Sequence, residues 1–394
     1  MAAPAVTPIL PGSTLGILGG GQLGAMFAMA ARRMGYRVEA ISDAADCPAA
    51  IHCDRLHVGS YTDTALLARV AADCDVVTFE FENVPAEAGR ALAAAVPVRP
   101  NPDVLFTTQD RAREKTFLTR HGFACAPYRI VTSLDELHQA AADIGLPGVL
   151  KTAAFGYDGK GQMKLLTPTD IDTAWKTLGV GPDGPRHLVL EGFIDFDCEI
   201  SVVAARGVDG SVAVFPPSRN AHANHILDVS SVPAGLAPST IDDAVATTGR
   251  ILDALGIIGV ACVEFFVTKD GRVLVNEIAP RTHNSGHLTI EACETSQFEQ
   301  QVRAVCGLPL GSTRLRSPAA MANLLGDCWA ATTEGSRRDP DWAAALEVPG
   351  VWLHLYGKRE ARPGRKMGHL TALAATADEA VEKVTTARRR ACRG

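Results

Sequence analysis

The sequence predicts an α/β domain built on a parallel sheet, followed by an α+β body, and three observations carry that prediction. Strand-like and helix-like segments alternate over the first hundred residues, the pattern of a parallel sheet with helices on both faces. A glycine-rich turn, GGGQLG at 19–24, follows the first apolar strand and opens a helix. Further on, Glu264 and Glu277 stand on apolar runs separated by Asp270-Gly271, a strong hairpin signal.

Length and composition bound the function. A chain of 394 residues corresponds to roughly two or three domains. Hydrophobic residues make up 47% and charged residues 21%, which is ordinary for a soluble protein with a large core. A net charge of −6 without a long run of Lys and Arg argues against nucleic acid as a partner. The ten cysteines are scattered with no CxxC pair, so neither a zinc site nor a disulfide framework is expected, and reduced thiols fit best. The first residues, MAAPAVTPILPGSTLGILGG, lack a charged start and are interrupted by prolines, so no signal peptide is expected. No apolar run approaches the roughly 20 residues that a membrane span needs. The expectation is a cytoplasmic protein with no membrane partner.

The elements follow in order. Thr14 to Leu18 reads as a strand, the next helix runs to about Met34, and Gly35 falls at the C′ position. Tyr36 to Ile41 is the second strand, followed by helix 62–73, strand 75–81 and helix 86–95. Gly19, Gly21 and Gly24 match GxGxxG, and Asp43 lies where a ribose-binding carboxylate would stand, so an NAD site is one reading. The other is that these glycines only permit a tight turn, or that the helix N-terminus holds some other phosphate.

A second section begins near Asp110 with the helix DRAREKTFLTRHG. A strand at 128–131, a helix at 133–144 and a strand at 147–152 follow. Lys151 leads into KTAAFGYDGKGQ, which suits a flap over phosphates. Gly156, Gly159 and Gly161 place no Cβ between backbone N–H groups and anionic oxygens. It is not a Walker A loop, because Gly161 stands where Ser or Thr would bind magnesium. The next strand ends in Glu191. The carbonyl-rich segment Glu191, Gly192, Phe193 and Ile194 suits the edge of an adenine, and Glu199 suits ribose hydroxyls.

The hairpin carries the chemistry. A two-residue Asp270-Gly271 loop pairs Lys269 with Arg272 and sets Glu264 opposite Glu277; a three-residue loop would face Glu264 with Asn276. Like charges across a ladder repel, so the pair needs a cation or a shared proton. Magnesium is the natural cation for carboxylates that also meet phosphates. Helix 239–255, strands at 320–326 and 351–356 and a helix at 376–390 complete the chain. Between the last two, HLYGKREARPGRKMGH gathers lysines and arginines about a Pro363-Gly364 turn that would aim them at a phosphate.

In order and spacing, five motifs resemble the N5-carboxyaminoimidazole ribonucleotide synthetases of the ATP-grasp superfamily. They are GILGGGQLGAM at 16–26, TFEFENVP at 78–85, GYDGKGQ at 156–162, NEIAPRTHNSGH at 276–287 and RPGRKMGHL at 362–370. The chain departs from that pattern at Phe155, where glycine is usual, and at Thr282, where proline is common. Neither change removes a charge, so altered flap packing is expected. The resemblance implies an ATP-grasp fold in three parts. These are a Rossmann-like pre-ATP-grasp domain over 1–112, an ATP-grasp domain over 113–307 with its lid at about 126–196, and a small C-terminal domain over 308–394.

It also implies the reaction: ATP- and bicarbonate-dependent carboxylation of the exocyclic amine of 5-aminoimidazole ribonucleotide through carboxyphosphate, by a homodimer. Arg111, Lys151, the 156–162 flap (Gly156, Tyr157, Asp158, Gly159, Lys160, Gly161, Gln162), Glu191 to Ile194, Glu199, His222, Asn276 and Glu277 would hold ATP. Glu264 and Glu277 would hold Mg2+. Arg281, His283, Asn284, Asp158 and Lys160 would serve catalysis, with Asp158 and His283 the candidate bases. Gly21, Gln22, Leu23, Glu82, Tyr157, Ser285, Lys358, Arg365 and Lys366 would bind the ribonucleotide. The rival readings are a formate-using glycinamide ribonucleotide transformylase, an NAD-dependent oxidoreductase and a non-catalytic nucleotide-binding module.

Overall fold

The computed structural model describes residues 7–154, 161–181, 184–185, 187–331 and 337–392. The N-terminal part is a four-stranded parallel sheet in the order Arg55–Val58, Arg37–Ser42, Thr14–Leu18, Val76–Phe79. Thr14–Leu18 and Val76–Phe79 are buried along their whole length, as strands covered by helices on both faces must be. The helix Gln22–Arg33 ends at Met34, and Gly35 follows at φ 87°.

Three elements here are absent from the sequence reading, the 3-10 turn Pro48–Ile51 among them. Arg55–Val58 is a short edge strand whose RLHV sequence alternates only weakly. Pro102–Thr108 is a helix capped by the Asn101 side chain with proline at its start, a signature that was legible in Asn101-Pro102.

The middle of the chain forms an antiparallel four-stranded sheet, ordered Tyr128–Val131, Leu188–Gly192, Gly148–Thr152, Gln162–Leu165. A nine-stranded sheet then runs Val273–Ala279, Gly259–Thr268, Phe196–Arg206, Ser218–Ala223, Ile226–Val232, Ala319–Leu325, Lys366–Leu373, Val351–Leu355, with Val212–Val214 paired to one side. The last three strands of that path come from the C-terminal part, joined to the rest through the ladder between Ile226–Val232 and Ala319–Leu325. The C-terminal helix Ala377–Cys392 packs its Ala380, Val384, Ala387 and Ala391 face beneath them.

Cys328 and Cys392 are joined as a disulfide, which corrects the expectation of free thiols throughout. The turn after Ala319–Leu325 meets the end of the C-terminal helix across 64 residues of sequence, a proximity that cysteine spacing does not encode. The other eight cysteines are free.

Of the two loop lengths the sequence allows, the hairpin has the longer. Thr268 N–H donates to Arg272 O and Gly271 N–H to Thr268 O, with Gly271 at φ 82°. That is a three-residue loop, Lys269 to Gly271, with glycine in the left-handed position. Its register pairs Phe265 with Val275, which by continuation would face Glu264 with Asn276. A bulge intervenes, and the ladder resumes with Glu264 opposite Glu277. Asn276 is the extra residue.

Candidate active site

A cleft of about 470 Å³ lies where the three parts meet. It is lined by Glu82, Arg111, Lys151, Gly161, Gln162, Glu199, His222, Glu264, Asn276, Glu277, Arg281, His283, Asn284 and Lys366 among others. All fourteen belong to the candidate set read from sequence. A smaller cavity of about 190 Å³ shares Arg281, His283, Asn284 and Lys366 with it and adds Gln22 and Leu23.

The helix Arg111–Arg120 organises one wall of the cleft. Helical spacing puts Arg111, Glu114 and Lys115 on one face, and that face seats the bulge. Lys115 Nζ donates to Asn276 O at 3.0 Å, and Glu114 Oε2 accepts from Ile278 N–H at 2.9 Å. A bulge leaves ladder groups unpaired, and these two side chains take them up. Arg111 reaches Glu277 Oε2 at 3.4 Å and Glu191 Oε1 at 3.5 Å. Sequence reading named Arg111 and passed over Glu114 and Lys115, although their i+3 and i+4 spacing from Arg111 was the available signal.

Glu191 is buried with three cations around it. Lys151 Nζ stands 3.0 Å and Lys115 Nζ 3.7 Å from its Oε2. Burial pushes the Glu191 carboxyl up, but Lys115, Lys151 and Arg111 overcome it and hold it at about 2. Burial, then the Arg111 charge, brings Lys151 down to about 8. Glu191 therefore anchors the cations that face the cleft. Its carboxylate is taken up by Arg111, Lys115 and Lys151. Gly192 and Phe193 donate their N–H groups to Pro127 O and Pro147 O, and the segment from Glu191 to Ile194 lines neither cavity.

The carboxylates crowd together at the bulge. Burial, then Glu277 and Glu199, raises Glu264 to about 8, the cost of facing like charges without a cation. Asn276 Oδ1 is buried with no hydrogen-bond partner. Two facing carboxylates and an orphaned amide oxygen form an oxygen donor set that fits magnesium. Glu199 and His222 pair at 3.2 Å on neighbouring strands. His225, unnamed by the sequence reading, joins the lining from a tight Asn224-His225 turn with both residues at positive φ.

His283 is a hydrogen-bond donor in this geometry. Ser285 brings its N–H to 3.3 Å and its hydroxyl to 2.8 Å of Nδ1, which makes Nδ1 the acceptor and assigns the proton to Nε2. That Nε2 lies 3.4 Å from Glu264 Oε1. Burial, then Arg281, keeps the ring neutral, well below its ordinary pKa. Ser285 is wholly buried behind the ring and lines no cavity. Arg281 pairs with Glu82 and spans both cavities. Asn284 lines both, with its amide N and O unpartnered. Lys358 Nζ donates to Lys366 O and Arg365 Nη1 to Glu360 O, so those two side chains brace the 358–366 loop while Lys366 enters the cleft. Phe155, Gly156, Tyr157, Asp158, Gly159 and Lys160 lie outside the described residues.

The glycine turn has an internal occupant. Glu80 Oε2 accepts from Gly24 N–H at 2.7 Å, and Oε1 accepts from Gly21 N–H. A Cβ on Gly19 or Gly21 would lie within 2.5 Å of Glu80 side-chain atoms. The carboxylate thus fills the place where a dinucleotide pyrophosphate would rest on the helix N-terminus, and Asp43 is exposed. The NAD reading loses its site, and Gly21 loses its N–H as a substrate contact.

Three family models match the chain: a ribonucleotide synthetase preATP-grasp domain over residues 13–109, an ATP-grasp domain over 116–298 and a phosphoribosylaminoimidazole carboxylase C-terminal domain over 319–383. The N5-carboxyaminoimidazole ribonucleotide synthase of Brucella melitensis is 46% identical over 93% of this chain and 98% of its own. A crystal structure of an N5-carboxyaminoimidazole ribonucleotide synthetase with ADP superposes with a TM-score of 0.88 at 39% identity, covering 96% of this chain and 97% of the other. The Aspergillus clavatus enzyme, solved with ADP and 5-aminoimidazole ribonucleotide, gives 0.85 at 30% identity over 97% and 99%. Among the described residues no helix is long and apolar enough to cross a membrane.

Proposed function

The chain belongs to the N5-carboxyaminoimidazole ribonucleotide synthase family, and from that premise we propose how its cleft carries out the family's reaction. The protein is an ATP-grasp ligase that carboxylates the amine of 5-aminoimidazole ribonucleotide with ATP, in purine biosynthesis. The observation that carries the residue assignment is the cleft itself, which joins the Lys151–Arg111 cations, the Glu264/Glu277 pair and Arg281 in one space.

Bicarbonate is a poor electrophile, and phosphorylation by ATP gives carboxyphosphate. Phosphoryl transfer needs charge neutralisation and alignment rather than a protein nucleophile. Lys151 and Arg111 neutralise the phosphates, and Glu191 holds both cations in place. Glu264, Glu277 and Asn276 would hold Mg2+, which would supply charge neutralisation at the phosphates. Glu199 and His222 receive the ribose. Arg281 orients bicarbonate between the two cavities, held by Glu82. Lys366, with Gln22 and Leu23, binds the ribonucleotide in the smaller cavity. Asn284 offers its unpartnered amide to the carboxyl group in transit.

With His283 donating from Nε2 and accepting at Nδ1, it stabilises charge and does not accept the amine proton; the departing phosphate or Asp158 takes that role. Tyr157, Asp158 and Lys160 would close over the intermediate and exclude water. We further propose domains at 1–112, 113–307 and 308–394, a homodimer and a cytoplasmic site of action.

ADP release tests the reading. It should require both bicarbonate and 5-aminoimidazole ribonucleotide. Release instead with formate and glycinamide ribonucleotide would overturn it in favour of the transformylase.

A further inference from the structure

Behind Glu264 the nine-stranded sheet carries a row of buried polar side chains that line neither cavity. Ser201 stands opposite Glu264 in the ladder, with its Oγ 3.3 Å from Glu264 Oε1. Asn220 Nδ2 lies 2.5 Å from Ser201 Oγ, and Ser230 Oγ lies 2.7 Å from Asn220 Oδ1. Asn220 and Ser230 face each other in the neighbouring hairpin. Ser230 is 0%, Ser201 1% and Asn220 7% exposed.

The polarity of this chain is set from its carboxylate end. A Glu264 carboxylate ionised against a bound cation only accepts, so in that state Ser201 gives its single proton to Glu264. The Ser201 oxygen then accepts from Asn220, which turns Nδ2 toward Ser201 and Oδ1 toward Ser230. Ser230 must donate. Each proton therefore points toward Glu264, and such a network stiffens its members when every one is satisfied. The His283 Nε2 contact falls on the same oxygen, Oε1.

We propose that Ser230, Asn220 and Ser201 are positioning residues that hold Glu264 Oε1, so that Oε2 is presented to the cation at the nucleotide phosphates. This rests on the assignment of Glu264 as a metal ligand. Partners behind a ligating side chain commonly change metal affinity by about 10–100-fold when lost. Simple packing would be served as well by apolar residues, because buried hydrogen bonds of this kind add little net stability.

The test measures metal binding directly. Full-length Ser201→Ala is titrated with Mn2+ in the presence of ADP, with free Mn2+ read by electron paramagnetic resonance. The expected result is about tenfold weaker Mn2+ binding with metal-free ADP affinity close to that of the unmodified protein; the melting temperature should fall modestly, because buried Asn220 Nδ2 loses its acceptor. Ser230→Ala, at the far end, should shift Mn2+ affinity in the same direction by a smaller factor. Equal losses of Mn2+ and metal-free ADP binding in Ser201→Ala would mark a merely structural role and overturn the proposal. Should Ser201→Ala not fold, unchanged Mn2+ affinity in Ser230→Ala overturns it alone. Glu264→Gln separates the two levels. If it loses Mn2+ while both serine variants bind normally, the chain is refuted and the ligand assignment stands. If Glu264→Gln binds Mn2+ normally, the assignment itself fails.

Discussion

Glu264 and Glu277 face each other across a hairpin ladder only because Asn276 is an extra residue on one strand. The three-residue loop alone would have set Glu264 against Asn276. The bulge returns the second carboxylate to register and keeps the amide beside it in the cleft. Lys115 and Glu114 hold that bulge from the helix below.

Glu277→Gln should therefore lower ADP release by at least about a hundredfold, from the several kcal/mol of charge neutralisation that a bound metal supplies. Its melting temperature should change little, because relief of the crowding against Glu264 is offset by loss of the Arg111–Glu277 pair. Retained turnover in a steady-state ADP assay would refute the metal role.

Lys115→Met should destabilise the fold by about 3 kcal/mol, measured by urea unfolding, since breaking a buried ionic cluster leaves charge uncompensated. The Asn276 carbonyl also loses its donor. A loss under about 1 kcal/mol, typical of exposed pairs, would show that Lys151 and Arg111 suffice for Glu191.

Stability of the ligand-free protein should peak near neutral pH. Burial holds His283, His287 and His369 well below 6.5, so the unfolded chain binds their protons first and stability falls as pH drops through that range. Glu114 and Glu264 act oppositely. Burial raises them to about 7 and about 8 from 4.5, so the folded state holds protons that the unfolded chain has released. Their contribution disappears as pH rises through 7 to 8. Thermal melts should show a decline between pH 7 and 8 that Glu264→Gln reduces. A melting temperature rising across that interval would contradict the raised carboxyls.

Glu80→Ala should cost about 1–2 kcal/mol, the scale of losing a helix cap, because the N–H groups of Gly21 and Gly24 lose their acceptor. Calorimetric titration of the unmodified protein with NADH should give no binding heat. A measurable heat would revive the dinucleotide reading of the glycine turn.

Local chemistry was legible in the residues themselves. Alternation gave the parallel sheet, Gly35 the end of the first helix, and the order of Lys151, Glu199, Glu264 and Glu277 a nucleotide cleft. Those features depend on short-range pattern, which side-chain type and spacing encode directly. The Asn276 bulge, the three cations on Glu191 and the Cys328–Cys392 bond were beyond reach. Each needs segments distant in sequence to meet: Lys115 with Asn276, Glu191 with Lys151, the 326–328 turn with the last helix. The glycine turn shows the division most sharply. From sequence alone its N–H groups suit any anion, whether a cofactor phosphate or a side chain. Only the parallel pairing of Thr14–Leu18 with Val76–Phe79 brings Glu80 to that helix end, and a fixed carboxylate at close range excludes a second anion by charge repulsion.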